Sequence, residues 1–372
     1  MIDVKDFFNC LKENQINFYA GVPDSLLKEF CAYVNDNCAK SEHVICANEG
    51  NAIAMAAGHY LATSNIPLVY MQNSGLGNAI NPLLSLADRE VYGIPMLLMV
   101  GWRGEPGVKD EPQHVKQGRV QLSLLEAMEI PYQILDADSS SYQDAIKGLS
   151  QLSQTENRPV AIVIRKGTFT EYKAKKKAAC EYNLSREEAL EAVLDADNSY
   201  IIISTTGKTS RELYEIRERR SEASQDFLTV GSMGHSSSIA ASIALARPDR
   251  RIMCIDGDGA LLMHMGALAI IGSLEPKNFL HILINNYCHE SVGGQETAIS
   301  VLNIELLAEA AGYKHYFCAV DKEEIMRSMA EIKELPGPIF FEIRVKKGSR
   351  DNLGRPKSST QENKASFMHK LK

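Results

Sequence analysis

The sequence holds no long hydrophobic run. Its longest apolar stretches, such as residues 94–100, fall far short of the roughly 18 residues that suggest a membrane helix, so no membrane span is expected. The first residues, Met1-Ile2-Asp3-Val4-Lys5-Asp6, show no basic segment followed by an apolar one, and no secretory leader is expected there. A basic balance is missing too: 40 Lys and Arg stand against 47 Asp and Glu, a net charge of −7, which argues against a general nucleic-acid binder. The eight cysteines form no CxxC pair, and no Cys/His group has zinc-site spacing. In a chain of 372 residues they read as reduced core residues of a cytoplasmic protein. Two phosphate motifs also fail. Gly207-Lys208-Thr209 would end a P-loop, but the glycine required five positions earlier is Ile202. Gly75-x-Gly77-x-x-Ile80 lacks the third glycine of a dinucleotide fingerprint.

What is present is an α/β pattern. β-branched and aliphatic runs recur at 44–47, 68–71, 96–100, 132–135 and 161–165, and again at 200–204, 227–230, 252–255, 280–285 and 339–343. Most are separated by segments of helical length, the signature of βαβ units, and two domains, each a mainly parallel sheet flanked by helices, are expected. The stretch between the two sets, rich in lysine at 173 and 175–177, reads as a linker. This gives a first domain at 1–170, a linker at 171–186 and a second domain at 187–345. Ser185 with Glu188 three positions on reads as a helix cap. From 346 to 372 eight Lys and Arg face two Asp and Glu, 8 − 2 = +6, so this tail reads as a solvated end or as a basic lid over an anionic ligand.

Two strand ends carry chemistry. The run 252–255 leads into Asp256-Gly257-Asp258-Gly259-Ala260, and 285 − 259 − 1 = 25 residues after Gly259 stands Asn285-Asn286, ending a second run. In open α/β sheets ligands bind at the carboxyl ends of strands. Asp258, Asn286 and the backbone carbonyl of Cys288 offer the hard oxygens that Mg²⁺ takes alongside phosphate. Gly257 and Gly259 let phosphate approach the backbone, and the Ser204-Thr205-Thr206-Gly207 turn presents hydroxyls and amides at a helix start. In the first half, Glu49 sits at a strand-to-helix junction before the small-residue run 52–58, where a helix dipole alone would favour a carboxylate.

Taken together these segments resemble the thiamine-diphosphate-dependent enzymes. The resemblance implies that Asp258, Asn286 and the Cys288 carbonyl hold Mg²⁺. It also implies that Glu49 bonds the cofactor's pyrimidine ring, that Gly231 offers it a carbonyl, and that Met233, in Gly231-Ser232-Met233, wedges it into a bent shape. Gln72, Asn73, Thr205, Thr206, Gly207, Ser232, Gly257, Gly259 and Ala260 complete the implied cofactor set. The first domain then binds the pyrimidine and the second the diphosphate. Glu49 and Asp258 are expected to act from different subunits of a homodimer or larger assembly.

With only these two domains the chain is similar to the phosphonopyruvate and sulfopyruvate decarboxylase branch. The segments 21–25, 72–78, 110–114 and 290–295 carry that likeness. It implies a lyase of phosphonate biosynthesis acting on a small 2-oxo acid with a second anionic group. Sulfopyruvate decarboxylation is the nearest alternative, and carboligation of the acetolactate synthase type a more distant one. Arg103, Lys109 and Arg119, with Arg350 and Arg355 in the tail, are the candidate anion binders. His114 is a further candidate there, and Asp24 and His114 are the candidates for proton transfer.

Overall fold

Residues 1–175, 181–223 and 225–372 are described by the computed structural model. They form two compact units, one of Met1–Ala178 with Val292–Gln295, the other of Ala179–Ser291 with Glu296–Lys372. Lys176 and Lys177 of the expected linker lie outside the described residues.

The first unit contains strands β1 (Tyr19–Gly21), β2 (His43–Ile45), β3 (Leu68–Gln72), β4 (Met96–Gly101), β5 (Tyr132–Leu135) and β6 (Pro159–Ile164). The second contains β7 (Ile201–Ser204), β8 (Phe227–Leu228), β9 (Ile252–Gly257), β10 (Phe279–Asn285), β11 (His315–Ala319) and β12 (Ile339–Arg344). Their orders are β2-β1-β3-β4-β6-β5 and β11-β12-β10-β9-β7-β8, and every pairing is parallel. A parallel sheet is covered by helices on both faces, so its central strands are apolar at every position rather than alternating. β4 shows this. Leu97 and Met99 join one core of the first unit, and Met96, Leu98 and Val100 join the other. β9 divides likewise, Met253 and Ile255 to one face and Ile252 and Cys254 to the other.

Two strands escape the sequence reading. β1 is three residues long and ends in glycine, and β11 is only half buried and mixes histidine with aromatics. The expected capping box at Ser185 and Glu188 is formed and opens the Arg186–Ala196 helix. The end of the tail departs from the solvated reading. Residues Thr360–Leu371 form a helix capped by Ser359 and Glu362. Phe367 is buried against Phe227, with ring centroids 5.3 Å apart. The Asn363 side chain donates to the Asp226 carbonyl and accepts from the Leu228 amide. Asn363, Phe367 and Leu371 recur every fourth residue, a stripe too narrow to stand out in a lysine-rich tail.

Candidate active-site residues

Neighbouring strand ends deliver the chemistry in each unit. In the first, the chain leaves β1 for Asp24, β2 for Glu49, β3 for Asn73 and β4 for Arg103, and these four strands are adjacent in the sheet. Asn48 caps the Glu49–Thr63 helix through the Asn51 amide, 2.9 Å away, which fixes Glu49 as its first residue. Glu49 is 5% exposed, and its Oε2 accepts from Asn78 Nδ2 at 2.8 Å. Gly75 lies against the same carboxylate: a Cβ there would stand 2.3 Å from Glu49 Oε1, so only glycine lets the two meet.

Asp24 is fully buried. Its Oδ2 accepts from the Leu26 amide at 3.1 Å, and its Oδ1 has no protein partner. A Cβ on Gly101, at the end of β4, would stand 2.2 Å from Oδ2. Burial pushes the Asp24 carboxyl up to about 6, with the Arg103 charge acting against it. Arg103 is clamped by Asp110, Nε to Oδ2 at 2.8 Å and Nη2 to Oδ1 at 2.5 Å, and its Nη1 donates to Ser25 Oγ at 2.8 Å. The Asn73 side chain donates to the Arg103 carbonyl at 2.7 Å, leaving its own Oδ1 buried and without a partner. Gln72 donates to Ser74 Oγ at 2.5 Å. His114 is buried with Nδ1 unpartnered, and burial together with the Arg103 charge brings its pKa down to about 4. That favours the neutral imidazole at physiological pH, whereas the sequence reading also considered a cationic one. Arg103, Lys109 and Asp110 line a cavity of about 250 Å³ together with Ser25, Trp102 and Lys166. Lys166 escaped the sequence reading. Arg119 is exposed on the Pro112–Ala127 helix and does not line this cavity.

In the second unit, β7 leads into Thr205, β9 into Asp258 and β10 into Asn286, again from adjacent strands. The Asp258 carboxylate accepts from Thr297 Oγ1 and from the Gly259 amide, both at 2.8 Å. The Cys288 amide also favours its charged form, and the same amide donates to Asn286 Oδ1 at 3.1 Å. Two of the candidate metal ligands, Asp258 and Asn286, thus meet at one backbone N–H, that of the residue whose carbonyl is the third. Asp258 is 5% exposed, and burial, opposed by these hydrogen bonds, pushes its carboxyl up to about 6. Ser232 and Gly231 lie on the segment after β8, with Met233 half-buried before the Ser236–Ala246 helix. His235 and His264, not among the sequence-derived site residues, face each other at a tilt of 53° beside that segment, with ring centroids 4.2 Å apart. Arg350 is tied to Glu187, at 3.0 Å, and to Glu215, while Arg355 is exposed.

These residues fit Mg²⁺ and a diphosphate. Asp258 is a buried carboxylate and Asn286 a neighbouring amide oxygen, a donor set that suits a hard divalent cation. Thr205 Oγ1 and Thr229 Oγ1 are buried without protein partners, ready to meet an anion's oxygens. A Cβ on Gly257 would meet nothing nearer than Thr205 Cγ2 at 3.9 Å, which leaves open space at the head of the cradle.

Comparison with known proteins agrees with this layout. Residues 4–125 match the thiamine pyrophosphate enzyme N-terminal TPP binding domain, and residues 205–343 the C-terminal TPP binding domain. The chain is 31% identical to phosphonopyruvate decarboxylase of Streptomyces viridochromogenes, across 97% of this chain and 93% of that one. It is 30% identical to phosphonopyruvate decarboxylase of Streptomyces hygroscopicus, across 97% and 92%. It is 27% identical to sulfopyruvate decarboxylase of Methanosarcina acetivorans, across 95% and 94%.

Proposed function

Because the chain belongs to the thiamine pyrophosphate enzyme family, in its phosphonopyruvate decarboxylase branch, we propose that it converts 3-phosphonopyruvate to 2-phosphonoacetaldehyde and CO₂, using thiamine diphosphate and Mg²⁺. The observation that carries this reading is the likeness to two phosphonopyruvate decarboxylases along nearly the whole chain. The cavity lined by Arg103, Lys109 and Lys166 supports it: these three cations, against Glu105 and Asp110, suit a second anionic group on a small 2-oxo acid. The 27% likeness to a sulfopyruvate decarboxylase keeps sulfopyruvate as the second reading.

Bound thiamine diphosphate supplies an electron sink for the pair released as CO₂ departs. Asp258, Asn286 and the Cys288 carbonyl would hold the Mg²⁺ that ties down its diphosphate, and Thr205, Thr206 and Gly207 would bond that diphosphate. Gly231 would offer its carbonyl, and Met233 would press against the cofactor's rings. Glu49, with Oε2 on Asn78 and Oε1 against Gly75, would hold a proton toward a pyrimidine nitrogen. Arg103 would orient the phosphonate, exchanging part of its bond to Asp110 for the ligand. Asp24, whose carboxyl is pushed up to about 6, would donate the proton that completes the aldehyde, with neutral His114 beside it.

The assembly is a homodimer or larger, with each site completed by a second copy. Apolar side chains left exposed in both units support this, among them Leu61 at 71%, Ile270 at 61% and Val301 at 82%. The seven described cysteines are free thiols, which suits a cytoplasmic setting. The deciding experiment measures CO₂ release from phosphonopyruvate and from sulfopyruvate, with and without thiamine diphosphate and Mg²⁺. The expected result is cofactor-dependent release with kcat/KM favouring phosphonopyruvate. A preference for sulfopyruvate would overturn the substrate, and cofactor-independent release the whole reading.

A further inference from the structure

Glu290 is an acidic residue that the mechanism above does not use, yet its side chain meets four separate parts of the second unit. Its Oε2 accepts from Asn286 Nδ2 at 2.8 Å and from Arg186 Nη1 at 3.0 Å. Its Oε1 accepts from Lys208 Nζ at 2.7 Å. The Gly348 amide, where the tail leaves β12, approaches Oε2 at 3.3 Å. Arg186 is itself clamped by the buried Glu212, with Nε to Oε2 at 2.6 Å and Nη2 to Oε1 at 2.7 Å. Glu290 is therefore anchored from behind by a rigid pair and reaches forward to Asn286.

An asparagine amide can present either its oxygen or its nitrogen to a cation, and only the oxygen binds. Asn286 is held by two bonds that leave one orientation. Its nitrogen donates to Glu290, and its oxygen sits 3.1 Å from the Cys288 amide beside Asp258. A flipped amide would set its oxygen against the Glu290 carboxylate. Both Glu290 oxygens already face cationic or amide donors, so this carboxylate acts on Asn286 and not as a ligand itself. The Glu290 amide also donates to the Cys288 carbonyl at 2.9 Å, steadying the third candidate ligand. Lys208 follows the Thr205–Gly207 turn, and a Cβ on Gly207 would lie 3.5 Å from Ser291 Oγ. The segment that carries Glu290 thus packs on the diphosphate turn as well.

We propose that Glu290 is a positioning residue for the metal: it fixes the Asn286 amide with its oxygen toward the cation and joins that ligand to Lys208 at the diphosphate turn. This rests on the reading that Asp258 and Asn286 hold Mg²⁺. Outer partners of metal ligands typically govern affinity by about 10- to 100-fold.

The test titrates Mg²⁺ into the full-length apoprotein at fixed thiamine diphosphate and follows cofactor binding by calorimetry, with no turnover involved. Glu290→Gln removes the charge and replaces one of the two acceptor oxygens by an NH₂ that can turn toward Asn286, so the amide is no longer fixed, while Arg186 stays clamped by Glu212. The Mg²⁺ concentration for half-saturation is expected to rise about tenfold or more, while thiamine diphosphate affinity at saturating Mg²⁺ and the apoprotein Tm stay near those of the parent. Lys208→Gln, which keeps the Asn286 bond, is expected to raise it less. Should Glu290→Gln fail to fold, Glu290→Asp keeps a charge for Arg186 and Lys208 but withdraws it from Asn286, with the same loss expected. Half-saturation within twofold of the parent in a folded variant would overturn the proposal. Asp258→Asn separates the two readings. If it leaves Mg²⁺ affinity intact, the metal assignment fails; if it abolishes affinity while Glu290→Gln changes nothing, only the role of Glu290 fails.

Discussion

At the scale of single residues, the two carboxylates of the first unit make opposite demands. Glu49 is held by a bond from Asn78 and seated against a glycine. Glu49→Gln should keep that seat and lose the proton-holding oxygen, lowering kcat by about 10²-fold or more, with thiamine diphosphate binding retained in a direct titration. Gly75→Ala should reach the same loss by another route, because its methyl would occupy the place of Glu49 Oε1. It should also cost about 1–3 kcal/mol of stability, the usual penalty for overpacking, measured by urea denaturation. Asp24 is a buried carboxylate with one oxygen unpartnered. Its carboxyl is raised to about 6, so the stability it contributes is fully present below the unfolded value near 4 and is lost as pH rises through about 6. Asp24→Asn should therefore stabilise the apoprotein at pH 8 and not at pH 4, by about 1–2 kcal/mol. In turnover Asp24 would act protonated, so kcat should fall as pH rises through its value in the complex, which an anionic substrate moves upward. The same substitution should lower kcat and remove that limb from the pH profile.

At the scale of elements, the sequence displays strands where burial on both faces keeps nearly every position apolar, Asp256, His281 and Asn285 being the exceptions in β9 and β10. β4, β9 and β10 are buried on both faces, and their polar termini, Arg103, Asp258 and Asn286, stand out by contrast. The same contrast exposes the Glu49 junction. What stays hidden is whatever depends on a partner far along the chain. Asn78 lies 29 residues from Glu49, Thr297 lies 39 from Asp258, and Lys166 reaches its cavity from the loop after β6. No local pattern announces such pairings. The tail helix is hidden for a related reason, since its packing stripe is three residues among many charges. Phe367→Ala should cost about 3–5 kcal/mol, the usual price of emptying a buried phenylalanine site, in chemical denaturation. A helix that anchors the second unit gives that result with kcat little changed at low temperature. A catalytic lid would instead lose kcat while keeping its stability.

At the scale of the whole molecule, each unit by itself presents half of the chemistry. Glu49 stands at the strand ends of one sheet and Asp258 at those of the other. If the two act together across a pair of subunits, as the family resemblance implies, complementation will reveal it. Glu49→Gln and Asp258→Asn homodimers should each be inactive, because every site carries one defect. In a mixed dimer one site combines both defects, while the other combines the intact Glu49 of one copy with the intact Asp258 of the second. Random exchange makes half the dimers mixed, each with one working site of two, so about a quarter of the parental activity should return. Sites built within a single copy would return none. The exposed apolar residues bear on the same question. Leu61→Glu with Ile270→Glu should shift the sedimentation coefficient toward the monomer, and cofactor affinity and CO₂ release should fall with it. If such a monomer still bound thiamine diphosphate at parental affinity, Glu49 and Asp258 would have to meet within one chain, and the mixed dimers should then stay silent.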